Sequence, residues 1–130
     1  MSASDHDQLR GLGQRYARAA DDRDIAALTA LFHPDVVIDG ARGVQTLDQW
    51  LDGMRGPRAF PTSMHVLGDP LIELDGDTAH VDTYAVVYQL GDQTAGQNDM
   101  TLGIRYVDDA VRLDGRWLIR NRVARTLWMR

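Results

Sequence analysis

Thr78-Ala79-His80-Val81-Asp82-Thr83-Tyr84-Ala85-Val86-Val87-Tyr88-Gln89-Leu90 is a long run rich in valine, tyrosine and threonine, the composition of a strand. Asp75-Gly76-Asp77 precedes it and supplies a strong hairpin turn. The polar turn Gly91 to Asn98 follows it. Outward from this run the pattern repeats. Met64 to Leu74 predicts a strand before the hairpin, and Met100 to Leu113 predicts one after the polar turn. Asp114-Gly115 is a second hairpin turn, leading into a last strand over Arg116 to Trp128. Long strands joined by tight turns predict an antiparallel meander.

These strands are apolar on both faces. In the last one, Trp117, Ile119, Val123 and Leu127 share one parity, and Leu118, Ala124 and Trp128 share the other. Helices can cover only one face, so the other is expected to pack against a second copy of the chain, giving a homodimer through the sheet. Gly68 and Gly103 are candidate bend points.

The first half of the chain is helical in pattern. Ser4 or Asp5 caps a helix carrying Leu9, Leu12, Tyr16 and Ala19 or Ala20 at helical spacing. Gly11 and Gly13 weaken it by about 1 kcal/mol each relative to alanine, and their small size favours close packing. Asp24 caps a short helix with Ile25, Leu28, Leu31 and Phe32 on one stripe, stopped by Pro34. Val36-Val37-Ile38 predicts a short strand, and Thr46 caps a third helix with Leu47, Trp50, Leu51 and Met54. Gly56 to Pro61 is loop. The expected fold is a single α+β domain over residues 1–130. In it a curved, cone-shaped antiparallel sheet packs against three N-terminal helices and encloses a pocket.

Composition narrows the function. The 130 residues are 44% hydrophobic and 25% charged, as in ordinary globular domains. A net charge of -5 argues against a nucleic-acid partner, which needs a basic footprint. No apolar run has the ~18 residues of a membrane span. The opening Met1-Ser2-Ala3-Ser4-Asp5-His6-Asp7 lacks the basic and apolar regions of a secretory signal, so a cytoplasmic location is expected. There are no cysteines, which excludes disulfides, thiolate nucleophiles and zinc–thiolate sites. No histidine pair has metal-ligand spacing, and no glycine motif for phosphate or dinucleotide is present, so neither metal nor cofactor is expected. Arg116, Arg120, Arg122, Arg125 and Arg130 crowd the last strand without an acid among them. They form a solvated face, or one of them points inward.

Several segments in order resemble the SnoaL-like branch of the nuclear-transport-factor-2-like (NTF2-like) superfamily. They are Arg15-Tyr16-Ala17-Arg18-Ala19-Ala20-Asp21 with Asp24 to Phe32, His65 to Ala79, Arg105-Tyr106-Val107-Asp108-Asp109, and Asp114 to Arg122. The resemblance implies a cone-shaped α+β barrel that dimerises through its sheet. It also implies dehydratase, dehydrochlorinase, isomerase, epoxide hydrolase or polyketide cyclase chemistry, or none, since non-catalytic members exist.

The site pattern is similar to those of bile acid dehydratase and hexachlorocyclohexane dehydrochlorinase. The resemblance carries their histidine and helix-end aspartate onto His65 and Asp21, with Asp22 as the alternative aspartate. It also carries a tyrosine onto Tyr16 and an arginine onto Arg122. The chain departs from the bile acid enzyme near Val87, where no second acid stands. It departs from scytalone dehydratase at Tyr88, which stands near a second histidine position. Asp39 lies one residue from the steroid isomerase base.

These correspondences imply a cofactor-independent lyase, dehydratase-like, or an isomerase acting on a small apolar molecule such as a steroid, terpenoid, polyketide or aromatic intermediate. His65 takes a proton from carbon, Asp21 orients it, and Tyr16 and Arg122 support the leaving group or enolate. The alternatives are a non-catalytic small-molecule-binding or dimerisation module, in which His65 and Asp21 form a structural hydrogen bond, and a polyketide cyclase- or epoxide hydrolase-like enzyme. Trp50, Met54, Phe60, Met64 and Tyr88, with Tyr84, are candidate pocket lining.

Overall fold

The structure is a computed structural model and describes residues 4–130. Met1-Ser2-Ala3, the start of the segment read above for a secretory signal, lies outside the described residues. The elements in chain order are α1 (Asp5–Asp22), α2 (Ile25–Leu31), β1 (Phe32–Gly40), β2 (Gly43–Thr46), α3 (Leu47–Arg55), β3 (Thr62–Leu67), β4 (Leu71–Asp75), β5 (Thr78–Leu90), β6 (Met100–Leu113) and β7 (Arg116–Met129).

Each helix starts where its capping residue predicts. Ser4 Oγ accepts the N–H of Asp7 at 3.1 Å, and Asp24 Oδ1 that of Ala27 at 3.0 Å. Thr46 and Gln49 form a reciprocal capping box on α3. α1 ends at Arg23, whose left-handed backbone (φ 54°) turns its N–H back toward the carbonyls of Ala19 and Ala20. This stop holds Asp21 and Arg23 in fixed positions at the mouth of the fold.

The sheet order is β2-β1-β7-β6-β5-β3, with β4 also on β5. β5, β6 and β7 form the expected meander. Three expectations change. The sheet is mixed rather than wholly antiparallel, because β1 runs parallel to β7. β1 begins at Phe32 rather than Val36, and α2 ends at Leu31, before Pro34. Pro34 instead falls in β1, where its pairing with β7 slips between Phe32 and Val37. The strand expected over Met64 to Leu74 is broken into β3 and β4, both pairing with β5. Gly68 sits at the break, its N–H bonded to the Tyr84 carbonyl at 2.7 Å, and a Cβ there would press on that same oxygen at 3.3 Å.

The three helices pack against one face of this curled, unclosed sheet. Leu9, Leu12, Leu28, Val36, Leu51, Trp117 and Ile119 form the centre of the core between them. Simple alternation along β7 would put Arg122 opposite Trp117 and Ile119, yet all three are buried. A bulge resolves this. Ala110 pairs with Ile119 and Asp109 with Asn121, which leaves Arg120 as an extra residue on β7. The parity switches there, so Trp117 and Ile119 face inward before the bulge and Arg122 and Ala124 after it. A second shift lies between Gly103 and Ile104, opposite Trp128 and Thr126.

The far face of the sheet bears exposed Met64, Val66, Tyr84, Tyr88, Leu127 and Trp128. Among the described residues no helix is long and apolar enough to cross a membrane.

Candidate active site

Two elements meet at the centre of the site. The last turn of α1 presents Asp21, and the inward parity of β3 presents Ser63 and His65. Asp21 Oδ1 stands 2.6 Å from His65 Nδ1, and Asp21 Oδ2 accepts the main-chain N–H of His65 at 2.9 Å. Ser63 Oγ donates to Asp21 Oδ1 at 2.9 Å. Asp22 is exposed and takes no part, so the geometry selects Asp21 of the two aspartates. The His65 and Asp21 side chains are 10% and 18% exposed, dry enough for the contact to count.

A carboxylate only accepts, so the proton between these groups is assigned to Nδ1 of His65. That leaves Nε2 as the ring nitrogen free of the carboxylate. It has no hydrogen-bond partner among the described residues, and it is not one of the fully buried unpartnered atoms.

Sequence reasoning missed Arg58. Its guanidinium donates to the main-chain oxygens of Asp21 (3.1 Å) and Phe60 (3.2 Å) and to Ser63 Oγ (3.4 Å). It ties the Gly56–Pro61 loop to the end of α1. No local pattern marks it, since the contact that ties it to the site, the Asp21 carbonyl, lies 37 residues away in the chain.

Arg122 forms the second centre. Its Nε and Nη2 donate to Asp108 Oδ1 and Oδ2 at 2.7 and 2.8 Å, a two-pronged pair between cross-strand neighbours. The guanidinium carbon lies 4.1 Å from the Tyr16 ring centroid and 4.4 Å from that of Tyr106. Burial works to lower the pKa of Arg122, but the adjacent Asp108 carboxylate outweighs it and the group is held more firmly charged than usual. Arg122 Nη1 is buried without a partner. Burial first, and then Tyr16, push the Tyr106 hydroxyl well above the ordinary phenol range. Asp108 was legible only as part of a family segment; its role follows from facing Arg122 directly across the β6–β7 ladder.

Tyr16 joins the two centres. Its ring meets that of His65 edge-on at 6.0 Å and that of Tyr106 at 5.6 Å. A cavity of about 280 Å³ opens beside it, between α3, the β1–β2 turn and β6–β7. Tyr16, Arg122, Trp50, Met54, Tyr106 and Ile38 line it. His65 and Asp21 are not on its wall; they stand behind Tyr16.

Other expected lining residues lie elsewhere. Met64 and Tyr88 are cross-strand partners of the parity opposite to His65 and are exposed on the outer face of the sheet. Tyr84 shares that face, beneath the guanidinium of Arg105. Phe60 is half-buried in the loop and does not reach the cavity wall. Asp39 is exposed while Ile38 faces the cavity, so the off-by-one position carries no base. Val87, buried beside His65, leaves that position apolar. A larger groove of about 570 Å³ runs between α1, α2 and the β6–β7 turn, but it touches none of His65, Asp21, Tyr16 and Arg122. Among the described residues no group of three or more histidine or acidic side chains is arranged to hold a metal.

Comparison with known proteins places this geometry in context. The SnoaL-like domain family matches residues 1–123. The chain belongs to the SnoaL-like family. An uncharacterised protein of Mycobacterium tuberculosis is 34% identical to this SnoaL-like chain over 128 residues, covering 92% of it and 84% of the relative. A protein of Novosphingobium aromaticivorans named as a candidate scytalone dehydratase superposes with a TM-score of 0.85 at 21% identity, covering 95% of this chain and 85% of that one. A hexachlorocyclohexane dehydrochlorinase from Novosphingobium barchaimii superposes at 0.82 with 16% identity, covering 95% and 87%. At these identities the SnoaL-like chain shares their fold; their reactions remain theirs.

Proposed function

We propose that this SnoaL-like protein is a cofactor-independent lyase that eliminates a small leaving group from a largely apolar substrate. The observation that carries the reading is the His65 ring held at Nδ1 by Asp21, with Nε2 left free. In the proposed step Nε2 takes a proton from carbon. The C–H electron pair forms the new double bond, and the leaving group departs from the adjacent carbon. Asp21 stabilises the imidazolium that forms. Tyr16 and Arg122, both on the cavity wall, are the groups proposed to oppose the developing negative charge. The substrate body fills the cavity against Trp50 and Met54, and Tyr16, which packs edge-on against His65, swings aside in the proposed complex to let the reacting carbon reach Nε2.

A His–carboxylate base contributes about 10²- to 10⁴-fold in rate. The dehydratase and dehydrochlorinase names of the structural neighbours favour elimination over isomerisation or cyclisation, which begin with the same proton abstraction. The second reading is a non-catalytic binding module. Apolar Val87, where a second acid is absent, favours it. We also propose that the outer sheet face pairs with a second copy of the chain. Sedimentation velocity of the parent and of Val66→Glu tests this, with loss of a dimer expected in the variant. The test of the catalytic reading is turnover of β-hydroxy and β-halo aromatic compounds by the parent and by His65→Asn, with thermal melting as the check on folding.

A further inference from the structure

Two guanidinium groups lining this cavity have no ion pair among the described residues. Arg42 stands in the turn between β1 and β2 and lies across Gly53 of α3, where a Cβ would collide with it. It makes no hydrogen bond or ion pair among the described residues. Arg23 follows α1. Its Nη1 reaches the sulfur of Met54 at 3.1 Å, a weak acceptor, and its Nε is buried with no hydrogen-bond partner among the described residues. Burial is the main cause lowering the pKa of Arg23, and the neighbouring charges of Arg58 and Arg42 lower it further.

The third guanidinium on the wall, Arg122, is already neutralised by Asp108. Among the described residues no carboxylate lines the cavity. In a chain of net charge -5 this is a local reversal of sign. Arg42 is exposed and Arg23 half-buried, so the cost of an unpaired charge falls on Arg23, and the like charge of Arg42 adds to it unless an anion joins them. A guanidinium fork matches the oxygens of a carboxylate or phosphate in a two-pronged way.

We propose that the ligand of this cavity is an apolar body bearing one oxyanion, a carboxylate or a phosphate, held at the rim by Arg23 and Arg42. The anion replaces the Met54 sulfur as the acceptor for Arg23 and relieves its repulsion with Arg42. The apolar body then lies against Ile38, Trp50 and Tyr106, and its far end points to Tyr16 and Arg122. This deepens the function proposed above by naming the class of substrate, and it rests on the same cavity being the binding site.

Calorimetric titration with 2-naphthoate, 2-naphthyl phosphate and the neutral 2-naphthamide tests the proposal on the full chain. At least one anion is expected to bind about tenfold more tightly than the amide, the weight of a charge-assisted hydrogen bond. Which anion prevails distinguishes carboxylate from phosphate. Arg42→Gln, a change in an exposed turn, is expected to erase most of that preference, and so is Arg23→Gln. Arg23→Lys is expected to keep part of it. If Arg23→Gln fails to fold, Arg42→Gln still decides the matter. His65→Asn is expected to leave the preference intact, so failure of the catalytic proposal and failure of this one are separable. Equal affinity for anions and amide overturns the proposal, as does an undiminished preference in Arg42→Gln or no binding of any of the three probes at millimolar concentration.

Discussion

The Asp21 carboxylate holds His65 at two points, taking the main-chain N–H at 2.9 Å and facing the ring Nδ1 at 2.6 Å. One bond fixes the strand against the end of α1, and the other fixes the rotation and tautomer of the ring. Asp21→Asn keeps the shape but turns one acceptor into a donor facing Ser63 or His65. It is expected to lower turnover by about 10²- to 10⁴-fold. Asp21→Ala, which strands the buried donors, is expected to cost about 1–3 kcal/mol in urea denaturation as well.

Arg122 and Asp108 are 4% and 6% exposed and hold each other in place. Asp108→Ala leaves a buried cation without its partner and is expected to destabilise the fold by about 3–5 kcal/mol. Replacing both members, as Asp108→Leu with Arg122→Met, is expected to recover most of that loss. Thermal melts of the single and double variants check this. A single variant as stable as the parent would contradict the role given to the pair.

His80 and Asp109 meet across β5 and β6 at 3.0 Å. The hydrogen bond to Asp109 raises the pKa of His80, while partial burial opposes it. A raised folded-state pKa means that protonation favours the native state. The contribution is therefore full below the unfolded value of about 6.5 and fades as pH rises through the folded value. His80→Gln is expected to flatten this part of the stability profile, measured by melting from about pH 5 to about pH 8. The pair is exposed, so the effect is small.

The indole of Trp128 occupies the space that a Cβ at Gly103 would fill. Gly103→Ala is expected to drive the indole off the sheet. That shifts the tryptophan emission of the folded protein, and because the indole is already 40% exposed the cost in stability is expected to stay below about 1 kcal/mol.

The helices and the meander were legible because their signals are local. Ser4, Asp24 and Thr46 cap where they stand, and the Asp75-Gly76-Asp77 turn closes its own hairpin. The parallel pairing of β1 with β7 was not legible, since its partners lie about as far apart in the chain as Ile38 and Arg122. The bulge at Arg120 was hidden for another reason. Periodicity assumes one residue per step, and a single extra residue reverses every later assignment. That is why Arg122 faces inward together with Trp117. Met64 and Tyr88 lie on the outer face because strand alternation sets them on the side opposite His65 and Val87, and large apolar side chains alone do not say which face of a sheet they take. Arg23, Arg42 and Arg58 were invisible as a group because a turn, a helix end and a loop meet only in the folded chain.

His65 is the proposed base. Its most direct test is a rate comparison. The parent and His65→Asn are each incubated with a panel of β-hydroxy and β-halo aromatic carboxylates and ketones, and elimination products are followed by mass spectrometry. The account predicts turnover by the parent and a loss of about 10²-fold or more in His65→Asn, with the melting temperature and ligand affinity retained. Turnover in His65→Asn within a few-fold of the parent, or a panel left untouched by the parent, would contradict it.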